Sequence, residues 1–381
     1  MNKHIFKILA VFFAVVVVAC QNVKEEAGTV EKNGEDTLKN LRQENQITDQ
    51  VHYPEEKHLK NIKQLTFGGD NAEAYFSFDG KKIVFQSTFP AWNAHCDQIF
   101  YQELATSRME EIPPVRISTG DGRTTCAYFL PGDTLILYAS THHYQKQCPE
   151  VPPRLVDGSY VWPVYKEYDI FVADLKGNIV KQLTNTEGYD AEATVSPKGD
   201  KIVFTSMRSG DLDLWVMDLD GKNLKQLTHE LGYDGGAFFS PDGEWIVFRA
   251  SRPKAPEQIK KYKELLSKGL VSPTEMELFI CRADGSEMKQ ITHLGKANWA
   301  PFFHPSGKKI VFSSNHHSDK GFPFNLFMVN LDGTGLEQIT FDKTFDSFPM
   351  FSPDGKKFIW ASNRNNGGTR STNIFIADWV D

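Results

Sequence analysis

The chain has 381 residues, 40% of them apolar and 24% charged, with 42 Lys and Arg against 49 Asp and Glu. These proportions exclude wholesale disorder, a collagen-like repeat and a polytopic membrane protein. A net charge of −7 with no Lys/Arg stripe argues against nucleic acid as a partner. Length alone suggests two or three domains, and one count stands out: 28 Phe, more than Tyr, Trp and Met together.

At the N-terminus, Lys3, His4 and Lys7 precede an unbroken apolar run from Ile8 to Ala19. That run is too short to span a bilayer and reads as a signal-peptide core over residues 1–19. It ends in Val17-Val18-Ala19-Cys20, which resembles the bacterial lipobox. The resemblance implies that Cys20 is acylated and becomes the first residue of the mature chain; the alternatives are an apolar anchor or an ordinary secretory cleavage. Residues 20–58 are polar and nearly devoid of aromatics, a composition that cannot offset the entropy of ordering, so a flexible tether is expected, with a marginal helix over Thr37–Gln46. The expected location is the bacterial cell envelope, lipid-anchored, with Gln21 after the lipid-bearing Cys compatible with the outer membrane, facing periplasm or surface.

From Leu59 onward the chain repeats. A string related to Ser-Pro-Asp-Gly recurs six times, with Phe78, Pro131, Pro197, Pro241, Pro305 and Pro353 at its second position. Seven residues later stand Phe85, Tyr138, Phe204, Phe248, Phe312 and Trp360; two earlier stand Phe76, Phe129, Val195, Phe239, Phe303 and Phe351. Each unit reads as an extended stretch, a Gly-containing turn, an apolar strand such as residues 201–206, and a third strand such as residues 213–219. An Asp-Gly hairpin signal then leads to a fourth strand ending in Gln-Leu/Ile-Thr, as at Gln182–Thr184 and Gln226–Thr228, with Arg116-Ile117-Ser118 a degenerate copy. The shortest spacing between units is 44 residues, and four strands at that period is a propeller blade. The fold class predicted is therefore all-β, a six-bladed β-propeller of four-stranded blades. The last unit lacks a fourth strand while residues 59–66 supply an unpaired one, so the N-terminal strand should complete the last blade and hide its edge.

This grammar resembles the TolB-like family of PD40, or WD40-like, repeats over about Leu59–Asp381. The resemblance implies a six-bladed propeller and leaves the ligand open. TolB carries a further domain before its propeller, for which the tether has no room; the expectation is a propeller, residues 59–381, on a lipid anchor.

Long insertions fall between second and third strands, at about residues 88–97, 141–168, 252–276, 315–324 and 363–372, on the face where fourth-to-first-strand connections also emerge. Elaborated loops on a regular scaffold mark a binding face. Residues 256–267 read as a short helix over it, with Ile259, Tyr262 and Leu266 on one side. Near the channel mouth the repeat places Asn71, Asp190, Asp234, Asn298 and Asp346, with Glu73 and Glu192 two residues into their strands. Such a ring suits a cation, a peptide amine or a basic segment; the plainer reading is that Asx side chains turn the backbone there. Cys96, Cys126 and Cys148 share the loop face with His95, His142 and His143. Cys148 is expected to form a disulfide with Cys126 or Cys96, leaving one thiol; the alternative is a Cys/His metal or redox site.

No hydrolase elbow, zincin helix, P-loop or dinucleotide fingerprint occurs, and six blades leave no residues for an α/β-hydrolase domain. Related propellers include oligogalacturonate lyases, whose metal is held by His at the channel mouth; His229, His293, His316 and His317 lie on the corresponding side. The leading expectation is a non-catalytic lipoprotein binding an envelope protein, peptide or glycan without a cofactor. The alternative is a metal-dependent enzyme or redox protein, with Zn, Cu or Mn as the metal.

Overall fold

The structure, a computed structural model, describes residues 50–106, 112–156 and 158–381. The expected signal peptide, Cys20 and the tether as far as residue 49 lie outside the described residues.

The first strand, β1 (Leu59–Gln64), is followed by blade one: β2 (Asn71–Phe76), β3 (Lys82–Ser87), β4 (Gln98–Glu103) and β5 (Val115–Arg116). Blade two is β6 (Thr124–Phe129), β7 (Leu135–Ser140), β9 (Asp169–Asp174) and β10 (Ile179–Gln182), with β8 (Trp162–Pro163) inside its insertion. Blade three is β11 (Asp190–Val195), β12 (Lys201–Ser206), β13 (Asp213–Asp218) and β14 (Lys225–Gln226). Blade four is β15 (Asp234–Phe239), β16 (Trp245–Ser251), β18 (Met276–Arg282) and β19 (Lys289–Gln290), its insertion holding helix α1 (Pro256–Leu266) and β17 (Leu270–Val271). Blade five is β20 (Asn298–Phe303), β21 (Lys309–Ser314), β22 (Asn325–Asn330) and β23 (Glu337–Gln338). Blade six is β24 (Asp346–Phe351), β25 (Lys357–Ser362) and β26 (Asn373–Trp379), completed by β1.

The six inner strands β2, β6, β11, β15, β20 and β24 each touch the next, and β24 touches β2, so the ring is closed. β1 pairs antiparallel with β26, Leu59 opposite Trp379 and Gln64 opposite Phe375. The folded body reaches further toward the N-terminus than the boundary at Leu59. Tyr53 and Glu56 are buried, the Tyr53 hydroxyl donates to Asp342 Oδ2 at 2.6 Å, and Arg364 grips Glu56 with both terminal nitrogens at 2.9 and 3.1 Å. These polar contacts were not legible in a segment read by its low hydrophobicity.

The repeated motifs are hydrogen-bond devices. In the Ser-Pro-Asp-Gly turn the Ser hydroxyl donates to the Asp carboxylate two residues on and accepts from the amide five residues on, as at Ser240, Asp242 and Trp245. Gly243, at φ 68°, supplies the left-handed residue that ends the turn. In Gln-Leu-Thr, the Thr hydroxyl accepts an amide from the third strand, Thr228 from Leu214 at 2.9 Å and Thr292 from Leu278 at 2.8 Å. It also donates to an acidic residue at the start of that strand, Asp213 in first place or Glu277 in second. Each fourth strand, though only two residues long in most blades, is thus fastened by side chains.

The Phe excess is the core. Phe76, Phe129, Phe303 and Phe351, with Phe85, Phe204, Phe248 and Phe312, are at most 2% exposed. They fill the space between sheets, where each contributes on the order of 1.5–3 kcal/mol by burial.

Candidate functional site

Every inner strand carries one extra residue: the register slips between Ala72 and Tyr75 in β2 and at the same place in the other five. The residue behind each slip is left-handed: Glu73, Cys126, Glu192, Gly236, Ala300 and Phe348, with φ between 46° and 60°. Five of the six are not glycine, and each such residue costs roughly 1–2 kcal/mol of backbone strain. The bulge turns these six positions, five of them bearing side chains, toward one cavity of about 780 Å³ at the loop-face mouth of the channel. Two residues further along, Tyr75, Tyr128, Phe238 and Phe302 converge on the axis with ring centroids 5.1–5.8 Å apart for successive contacts, closing the cavity floor. Beyond this plug a smaller apolar pit of about 200 Å³ opens on the turn face.

Two insertions roof the cavity. β8 of blade two pairs with β17 of blade four, Trp162 opposite Val271, passing over blade three. Trp162 meets Trp299 at 5.0 Å, and the Arg249 guanidinium lies 5.3 Å over the Trp162 ring. Cys96 and Cys148 form a disulfide that ties the loop before β4 to the blade-two insertion. The short helix expected over this face is α1; its buried side chains are Tyr262 and Leu265, and the Tyr262 hydroxyl bonds Asp211. Ile259 and Leu266 are only partly buried, because the helix rolls Leu265 inward instead.

Glu73 and Glu192 line the cavity; Asn71, Asp190, Asp234, Asn298 and Asp346 do not. They are at most 1% exposed and bonded inside the blades, since the opening residue of an inner strand points between sheets. Each of the three aspartates is separated in sequence from an arginine partner by eighteen residues. Asp190 binds Arg208 at 2.8 and 2.9 Å, Asp234 binds Arg252, and Asp346 binds Arg364 at 3.1 and 3.2 Å. The guanidiniums also lie over third-strand aromatics, Arg208 over Trp215 and Arg252 over Phe279. Where the strand opens with Thr124 or Asn298 the same place is taken by His142 or His316, uncharged residues facing uncharged ones. His142 Nδ1 meets Ser140 Oγ at 2.8 Å with its ring 4.3 Å from Phe171; His316 Nδ1 meets Ser314 Oγ at 2.9 Å with its ring 4.5 Å from Phe327. Burial, with His143 beside it, holds His142 down to about 4.

These two histidines are therefore bracing residues. His95 and His143 are exposed, Cys96 and Cys148 are joined to each other, and Cys126 is a partly buried free thiol lining the cavity. Among the described residues no group of three or more His, Cys, Asp or Glu is assembled for a metal. Of the other loop histidines, His293 meets Gln290 and His317 meets Asn325.

The cavity carboxylates differ. Glu192 is saturated: it accepts from Tyr189 at 3.0 Å, from the Tyr233 hydroxyl, from the Gly236 amide at 2.5 Å and from Arg249 at 3.0 Å. Gly236 is required here, because a Cβ would strike the Arg249 guanidinium. Asp97 pairs with Arg123. Among the described residues Glu73 has no basic partner; the Cys126 thiol is its hydrogen-bonding neighbour, and Oε2 is buried without a partner. Burial raises the Glu73 carboxyl from 4.5 to about 7. Between those values the folded chain holds a proton that the unfolded chain has lost, so acidification from pH 7.5 to 5 adds stability through this group. Glu73→Gln is expected to reduce that gain by about 1–2 kcal/mol, read from urea midpoints at the two pH values.

Arg249, Arg123, Asp97, Trp162 and the tyrosines were not singled out by the sequence. The available signals were Arg249 as the lone charge in the apolar run Trp245–Ser251, and the repeated Gly-Tyr-Asp at residues 188–190 and 232–234.

Residues 148–277 match the family model for PD40, the TolB beta propeller domain. Among solved structures, one described as a TolB from Agrobacterium tumefaciens superposes with a TM-score of 0.53 at 19% identity, covering 84% of this chain and 97% of that one. TolB from Acinetobacter baumannii gives 0.47 at 16%, covering 82% and 64%. An oligogalacturonate lyase in complex with manganese gives 0.46 at 14%, covering 86% and 96%. No curated protein matches the sequence.

Proposed function

We propose that this TolB-like six-bladed propeller is a lipid-anchored envelope protein that binds a protein partner by receiving an extended segment in its loop-face cavity. The observation that supports this most is the cavity itself. It measures about 780 Å³, within the range of ligand pockets, and joins aromatic walls to a few fixed polar groups. Around its rim Tyr160 and Phe322 are 49% and 55% exposed, apolar surface of the kind that partners cover. The lipobox-like segment motivates the anchor and the envelope location. The metal-enzyme alternative finds less support, since His142 and His316 are bonded to serines and stacked on phenylalanines.

A photo-cross-linking residue placed at Tyr160 or Phe322 in native envelopes should capture the same partner, and one at the outer-edge residue Leu224 should not. Ala300→Phe fills the cavity at a left-handed position whose blade-six counterpart is already Phe348, so the backbone accepts it. Capture from the rim is expected to fall at least tenfold in this variant with the melting temperature little changed. Capture that persists in Ala300→Phe, or that is equal from Leu224, overturns the cavity reading.

A further inference from the structure

Three carboxylates line the cavity together with Arg123, Arg154, Arg249 and Lys320; Asp97 pairs with Arg123 and Glu192 with Arg249, while Glu73 faces aromatic rings and forms no ion pair among the described residues. Its backbone is held left-handed at φ 53°, like that of Glu192 at φ 59°. Four hydrogen bonds account for Glu192 being kept in that conformation, whereas the Glu73 carboxyl has the Cys126 thiol as its hydrogen-bonding neighbour and its Oε2 is buried without a partner among the described residues. A buried polar atom without a partner calls for an explanation, and at a cavity wall the explanation is a group supplied from outside. Tyr75 stands beside Glu73, and Trp162, Tyr189 and Tyr233 share the cavity, so the surroundings pair a carboxylate with π faces. That combination recognises an organic cation.

We infer that Glu73 is the anchor of the cavity and takes a cationic group of the bound segment, a lysine or arginine side chain or a free amino terminus. The inference rests on the cavity reading above and names the chemistry its ligand must bring. Glu192 and Asp97 are positioning residues: their arginines hold the walls, and their charges are already neutralised. With the Glu73 carboxyl raised to about 7 by burial, an arriving cation displaces its proton, so occupancy should strengthen as the pH rises across that value.

Cys126, beside Glu73, gives a direct probe of this field, and the other described free thiol, Cys281, is 0% exposed. The full-length protein is treated with aminoethyl methanethiosulfonate, which is cationic, and with methyl methanethiosulfonate, which is neutral. In both reactions the Cys126 sulfur attacks the sulfenyl sulfur, an S–S bond forms, methanesulfinate leaves and the thiol proton goes to solvent. Rates are read by mass spectrometry, divided by those of a simple thiol, and corrected with Cys126→Ser. The cationic reagent is expected to be favoured at least tenfold at pH 8, less at pH 6, and by under twofold in Glu73→Gln. Glu73→Asp, which keeps the charge, should retain most of the preference and guards against a folding defect in the amide variant. An equal preference in wild type and Glu73→Gln overturns the inference, as does a Cys126 that neither reagent reaches in the folded protein. A wild-type protein without charge preference, with rim cross-linking intact, removes Glu73 as anchor and leaves the cavity reading standing. Loss of Ala300→Phe-sensitive capture removes that reading itself.

Discussion

Arg364→Met is expected to lower the unfolding free energy by about 3–5 kcal/mol, the usual cost of stripping one partner from a buried ion pair. Arg364, Glu56 and Asp346 all have side chains that are 0% exposed, and the guanidinium is shared between them. It also donates to the Val51 carbonyl at 3.0 Å, so one side chain joins blade six to the segment leading into β1. Removing it leaves two acids facing each other out of water. Asp346 is already raised to about 6 by burial against the pull of Arg364, and without that charge it would take up a proton still more readily. The defect should therefore be smaller at pH 5 than at pH 7.5. Arg208→Met is the control, since Arg208 is 14% exposed and ion-pairs with Asp190 alone; its loss should be clearly smaller. Urea unfolding of the three proteins decides this, and an Arg364→Met loss under 1 kcal/mol would mean that strand pairing alone closes the ring.

A second large effect is expected at the blade-three and blade-four wall of the cavity. Arg249→Met should cost about 3–5 kcal/mol because Glu192, 7% exposed, is left buried without its cation. Joining it to Glu192→Gln should recover part of that loss, with an interaction energy of about 2–3 kcal/mol from the double-mutant cycle. Tyr189 and Tyr233 still have an acceptor in the amide, which is why recovery is possible. An additive double mutant would show that the aromatic stacking of Arg249, 4.9 Å over Tyr233, carries its contribution instead.

The propeller was legible because its cues are local and repeated. Ser240 with Asp242, and Thr228 with Asp213, are fixed by spacing within a unit, so one motif recurs as one hydrogen-bond pattern. The insertions were legible for the complementary reason, that they interrupt the period. What sequence could not place was side-chain direction beside an irregularity. Asn71 and Glu73 look alike as polar residues opening a strand, but a one-residue slip behind Ala72 sends Glu73 into the cavity while Asn71 stays between the blades. Pairing across blades was equally hidden: Trp162 and Trp299 lie in different blades and meet only because β8 reaches β17. His142 looked like a ligand because histidine on a loop face suggests metal. Its counterparts Arg208, Arg252 and Arg364 show that the place calls for a flat group stacked on a third-strand aromatic.

The closing pair β1 and β26 joins residues more than three hundred positions apart, and this sets an order of events as the chain emerges. Blade one can form as soon as its own four strands are out, and so can each blade through the fifth. The sixth cannot, because β1 appears first and its partner last. At synthesis rates of about 5–20 residues per second, β1 waits on the order of 15–60 s for β26. Over that interval an unpaired strand edge is exposed at each end of a growing arc. Its charged residues Lys60 and Lys63 are of the kind that discourages strangers from pairing there, so the waiting strand carries its own protection.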